Sequence, residues 1–159
     1  SINAMIDIAR VQGQDLLLIN SDIELTGLPE LKQDGLTIFS RFDWEELHTK
    51  ANAKVFVHGF DVVHIPRRFL TIFPPSVYAL GVSHWDHYVP YHAILKEIPL
   101  YYPAGPYAFH KIHPTQYSTE QWMRFSEYFK LDFNLDKRLN GGQAATLAMN
   151  TIRKNLIHI

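Results

Sequence analysis

Residues 82–92 read V-S-H-W-D-H-Y-V-P-Y-H, and whether this stretch forms a strand or a helix decides how the middle of the chain folds. It places three of the nine histidines beside an aspartate, a tryptophan and two tyrosines. As a strand, residues 83–89 put His84, Asp86 and Tyr88 on one face and Trp85, His87 and Val89 on the other. Asp86 then lies two residues from His84 on the same side, where a carboxylate orients an imidazole and fixes its tautomer. As a helix, the same residues bring His84 and His87 onto one face, as a pair of metal ligands would be. Pro90 and the aromatic, β-branched composition favour the strand.

The catalytic candidates are therefore His84, Asp86 and His87, with His84 as base or ligand and Asp86 orienting it. His84, His87 and His92 are the metal-ligand candidates, and Tyr88 and Tyr91 would line the ligand site. His58, His64, His110 and His113 lie on neighbouring strand-like or looped segments and could add ligands. The H-x-x-H spacing recurs at His110 and His113, so neither copy is distinctive. The helical H-E-x-x-H arrangement of metalloproteases is absent from the sequence. The competing reading makes the cluster an aromatic core with hydrogen-bonded histidines.

Working outward, residues 15–20 and 36–39 are short apolar runs bounded by turn signals, consistent with buried strands. Residues 54–58 and 61–65 are β-branched and aromatic around Gly59, as in a bulged strand or a tight strand pair. Asp43-Trp44-Glu45-Glu46 has the form of a capping box, predicting a helix over residues 44–51 that buries Trp44, Leu47 and Ala51. Ser118-Thr119-Glu120-Gln121 is a second, opening a helix over residues 119–128 with Trp122 and Phe125 on one face. Phe129, Leu131, Phe133 and Leu135 alternate with polar residues and predict a half-buried strand. Residues 143–156 predict a closing helix with Ala144, Ala145, Ala148, Ile152 and Leu156 towards the core. Five prolines between Pro90 and Pro114 predict a looped, tyrosine-rich wall.

A strand, then Arg138-Leu139-Asn140-Gly141-Gly142, then a helix would expose backbone N–H groups at a helix N-terminus, a form suited to anions. Arg138, Asn140, Gly141 and Gly142 are the ligand-binding candidates there. The segment resembles the acyl-CoA-binding motif of the N-acetyltransferase superfamily, in which a strand leads into R-x-x-G-x-G/A. Arg138 and Gly141 match its first half, while Gln143 stands where that family has glycine or alanine. The resemblance covers about twenty-five residues and implies, as a third reading, an acyl-CoA-dependent N-acyltransferase-like domain. An ordinary turn and helix cap is the alternative for the same residues.

Composition sets the outer limits. With 159 residues, 47% hydrophobic and 19% charged, the chain suits one globular domain. Residues 1–50 carry nine acids and four bases, and residues 51–159 carry seven acids and eleven bases. That excess of positive charge is too dilute for a nucleic-acid footprint, so nucleic acid is an unlikely partner. With no cysteine, disulfides, thiolate metal sites and cysteine nucleophiles are excluded. No run of eighteen apolar residues predicts a membrane span. Ser1-Ile2-Asn3-Ala4 reads as a vector-derived remnant before Met5, and residues 5–159 as a single domain. A cytoplasmic location is the default, with secretion lacking a cleaved signal as the alternative.

The expectation is a single α+β domain with a mixed or antiparallel sheet flanked by about three helices. Its function would be that of a small soluble enzyme or small-molecule-binding domain with a histidine-centred site, its cofactor undetermined. The alternative is a protein-interaction module (effector, inhibitor or sensor domain) that uses the tyrosine- and proline-rich surface. An enzyme calls for convergent polar groups in a concave pocket, and a binding module for a contiguous exposed aromatic patch.

Overall fold

The computed structural model describes residues 1–45, 49–114 and 118–159. The chain is a single-domain α+β fold, and among the described residues it has four helices and two mixed sheets. In chain order they are α1 (Ile2–Gln12), β1 (Leu16–Ile19), β2 (Ile23–Leu25), β3 (Leu36–Phe39), β4 (Phe42–Trp44), β5 (Lys54–Val55) and β6 (Val62–Ile65). They continue with α2 (Trp85–Leu95), β7 (Leu100–Tyr102), β8 (Ala108–Lys111), α3 (Thr119–Asp132), α4 (Gly141–Lys154) and β9 (Leu156–His158). The larger sheet has the order β1-β6-β3-β7-β9 and the smaller one β2-β8-β4-β5.

Two ribbons pass through both sheets. β3 and β7 pair in parallel in the larger sheet, and their continuations β4 and β8 pair in parallel in the smaller one. Only Ser40 and Arg41 separate β3 from β4, so the corner between the sheets is sharp. The Ser40 hydroxyl fastens it by donating to the Gly59 carbonyl at 2.8 Å. The central strands β3 and β6 are buried at every position, as expected for strands covered on both faces.

α2 lies against β3, β6 and β7 and packs on α4, which in turn packs on α3. The main core joins Leu18, Leu36, Ile38, Val63 and Ile65 of the sheet to Trp85, Tyr88 and Val89 of α2, Phe129 of α3 and Ile152 of α4. A smaller core forms around Phe39, Val62 and Ala108.

Four expectations change. Residues 85–95 are helical, not a strand: α2 buries Trp85, His87, Tyr88, Val89, Pro90 and Ala93, almost all the way round. Such a helix has no polar stripe to reveal its period, and an apolar run of this kind reads equally as a buried strand. Pro90 removes only the hydrogen bond that its N–H would have given to the Asp86 carbonyl. Residues 129–132 end α3, and the apparent alternation is really the i, i+4 pair Phe129 and Phe133, both buried, with Leu131 exposed. Trp44 ends a strand instead of opening a helix; Glu46, Leu47 and His48 of that expected helix lie outside the described residues, and Ala51 is exposed in a short 3-10 turn. The tyrosine- and proline-rich segment supplies β7 and β8.

A further helix, α1, opens the chain: the Ser1 side chain accepts from the Ala4 N–H and Ile2, Ile6 and Ala9 are buried. The last two helices are capped at the expected residues, α3 by the Ser118 side chain and α4 by a full box. The Ser118 hydroxyl accepts from the Gln121 N–H, and Asn140 and Gln143 form a reciprocal capping box.

Candidate functional site

A cleft of about 1000 Å3 opens between the smaller sheet, the loop carrying His58 and the helices α2 and α4. That is the upper end of the range for small-molecule sites. Its wall carries Asp22, Arg41, Asp61, Asp86, His110 and His113, along with His84, His87, Asn150 and Arg153. A smaller cavity of about 420 Å3 beside α3, lined by Val77, Phe125 and Tyr128, holds none of the histidines.

One wall is built on Arg41, at the corner between the sheets. Its Nε donates to Asp43 Oδ1 at 2.7 Å, its Nη1 to Asp61 Oδ1 at 2.8 Å, and its guanidinium lies 3.9 Å over the Phe56 ring. Burial works against the charge on Arg41, but the two carboxylates outweigh it and hold the guanidinium protonated beyond its usual range. Asn20 Nδ2 donates to the same Asp61 oxygen at 3.1 Å. The other oxygen, Asp61 Oδ2, is buried without a hydrogen-bond partner. Burial pushes the Asp61 carboxyl above the usual carboxylate range and the nearby Asp86 adds to this, while Arg41 and Asn20 pull the other way.

The network continues from Asp43. His110, on β8, donates from Nδ1 to Asp43 Oδ1 at 2.9 Å, and its Nε2 lies 3.4 Å from Asp22 Oδ2. His113 donates from Nδ1 to the Pro114 carbonyl at 3.0 Å, and its Nε2 lies 3.2 Å from the same Asp22 oxygen. Asp22, His110 and His113 each offer one ligand atom, and these three atoms lie within 4.8 Å of one another.

On the opposite wall, His84 occupies the left-handed region at φ 67° and caps α2. Ser126, on α3, donates to the Trp122 carbonyl at 2.8 Å, so its oxygen accepts from His84 Nε2 at 2.7 Å. His87 Nε2 donates to the His58 carbonyl at 3.1 Å. The two Nδ1 atoms face each other at 3.4 Å, and Asp86 Oδ1 lies 3.9 Å from that of His87. Burial, and then the neighbouring His87, push the His84 imidazole down to about 4. Both Nε2 atoms thus have protein partners.

Of the residues expected from sequence, His84, His87 and Asp86 do come together at the cleft. His92 does not join them: its Nε2 donates to the Ile72 carbonyl at 3.0 Å and its ring packs on Phe73 and Tyr88. Tyr88 and Tyr91 are core residues, stacked on Tyr78 at 4.5 Å and packed on Phe133 at 4.6 Å. Arg138 is exposed and forks onto Asp136. Asn140 is spent on its own helix cap. At Gly141 a Cβ would sit 2.5 Å from Ser126 Oγ and from the Trp122 ring, so this glycine lets α4 approach α3; Gly142 lies at the cleft edge. The strand that the acyl-CoA motif needs ahead of these glycines is the end of α3.

Arg41, Asp61 and Asp22 carry no sign of a site in the sequence, where Asp43 reads only as a helix cap. The available signal was the second H-x-x-H at His110 and His113. Compared with protein-family models, curated proteins and solved structures, the chain matches none.

Proposed function

We propose that this chain is a small enzyme that binds and transforms a small molecule in the cleft, with Asp61 and Asp86 as its proton-handling groups. The observation that carries this reading is the unpartnered oxygen of Asp61, buried in the cleft wall beside a second carboxylate. A buried polar atom without a partner and a carboxyl pushed upward by burial are features by which catalytic acids are found. Two carboxyls on one cleft wall, one of them buried, can divide into a general acid and a general base. His84 and His87 are positioning residues: their Nε2 atoms are committed, and they hold the start of α2, and so Asp86, against the His58 loop. Gly59 belongs to the same support, because a Cβ there would sit 2.0 Å from Asp86 Oδ2.

Tyr101, Tyr102 and Tyr107 are half-buried within or beside their sheets, which favours the cleft over an aromatic docking face.

The test is turnover of a panel of chromogenic esters, phosphate esters and glycosides by the wild type, Asp61→Asn, Asp86→Asn and Gly59→Ala. The expected result is turnover of at least one class, reduced about a hundredfold or more in Asp61→Asn and Asp86→Asn. Gly59→Ala, which displaces only the end of the Asp86 side chain, would lose rate while keeping the fold. Rate would fall as pH rises through the elevated Asp61 value. Turnover of no class, or equal rates in all four proteins, would refute the reading.

A further inference from the structure

We infer that Asp22, His110 and His113 form a binding site for one divalent first-row transition-metal ion, facing the cleft. His110 and His113 both use Nδ1–H on an acceptor, Asp43 and the Pro114 carbonyl respectively. In a neutral imidazole this leaves a lone pair on Nε2. Both Nε2 atoms point at the same carboxylate oxygen, Asp22 Oδ2, at 3.4 and 3.2 Å. Two lone pairs and an anionic oxygen repel one another unless positive charge lies among them. Two extra protons would supply it, and so would a single divalent cation.

Two of the three ligand–ligand separations fit the cation. An ion bound at about 2.1 Å to nitrogen and oxygen holds neighbouring ligand atoms about 3.0 Å apart in octahedral and 3.4 Å in tetrahedral geometry. The two observed separations fall within that interval. The supports are also those of a metal site, where a ligating histidine gives its other N–H to a carboxylate or backbone carbonyl. Asp43 is itself fixed by Arg41. The strand register sets the arrangement, since β8 pairs His110 with Ile23 on one side and with Asp43 on the other.

Two imidazoles and one carboxylate suit zinc, ferrous iron or cobalt better than magnesium or calcium, which prefer oxygen ligands. Three protein ligands leave coordination positions for water or substrate, as in catalytic and not structural metal sites. The cleft lies on that side, as all three residues line it.

The test is titration of the chelator-treated full-length protein with Zn2+ by calorimetry and with Co2+ by visible absorption. One ion should bind per chain. Asp22→Asn and His113→Ala, at half-exposed side chains where the fold is safe, should each weaken binding a hundredfold or more. Asp43→Asn, which touches no metal, should weaken it ten- to a hundredfold. His84→Asn should leave it unchanged. Absence of binding at millimolar metal, or affinity undiminished in Asp22→Asn and His113→Ala, would overturn the inference. The readout needs no turnover: binding without turnover would count against the proposed activity alone, and turnover in metal-free protein against a metal role alone.

Discussion

Replacing His84 with asparagine should flatten the acid side of the stability curve. Asparagine accepts the left-handed backbone that this position requires, so the cap at φ 67° is kept while the imidazole is removed. In the folded protein His84 is held near 4, against 6.5 when free, by burial first and then by His87. The unfolded chain therefore takes up this proton first. Stability from the neutral ring is complete above about 6.5 and is lost as pH falls towards about 4. The gap between the two values corresponds to about 3 kcal/mol, an order-of-magnitude ceiling, and to a slope of no more than about 1.4 kcal/mol per whole pH unit. The assay is urea unfolding at half-unit pH intervals from 4 to 7, followed by tryptophan fluorescence. The variant should be less stable at pH 7, having lost the Ser126 hydrogen bond and ring packing, and the two curves should converge towards pH 4. Parallel curves would refute the reasoning, because they would mean that protonation of this ring costs the fold nothing.

Gly141→Ala should lose about 1–3 kcal/mol, because the new methyl meets Ser126 Oγ and Trp122 at 2.5 Å, whereas Gly142→Ala, with its nearest atom at 3.4 Å, should stay within about 0.5 kcal/mol; urea midpoints compare them. Arg41→Lys should cost about 2 kcal/mol in the same assay, since an ammonium cannot reach Asp43 and Asp61 together or stack on Phe56. Asn140→Ala should cost about 1 kcal/mol through loss of the capping box, visible as lower thermal stability and earlier amide exchange in the first turn of α4.

The elements legible in the sequence carry their own punctuation. Ser118 and Asn140 announce α3 and α4, and the apolar runs at β1, β3 and β6 stand between turn residues. α2 was hidden by its setting: packed on nearly all sides, it had no reason to keep a polar stripe. The end of α3 was hidden by coincidence, since Phe129 and Phe133 satisfy both a period of two and a spacing of four. The site was legible only where its parts are local. His84 and His87 are three residues apart and do meet. His110 and Asp43 are separated by 67 residues, and His113 and Asp22 by 91, so only the strand register of the smaller sheet joins them.

The sharp corner at Ser40 and Arg41 has a kinetic consequence. For one sheet to swing about it against the other, Arg41 would have to leave two carboxylates and Ser40 would have to release the Gly59 carbonyl in the same motion. The cleft is therefore shaped before anything enters it. Capture of a ligand should follow simple second-order kinetics, its observed rate rising in proportion to concentration without levelling off at a gating step.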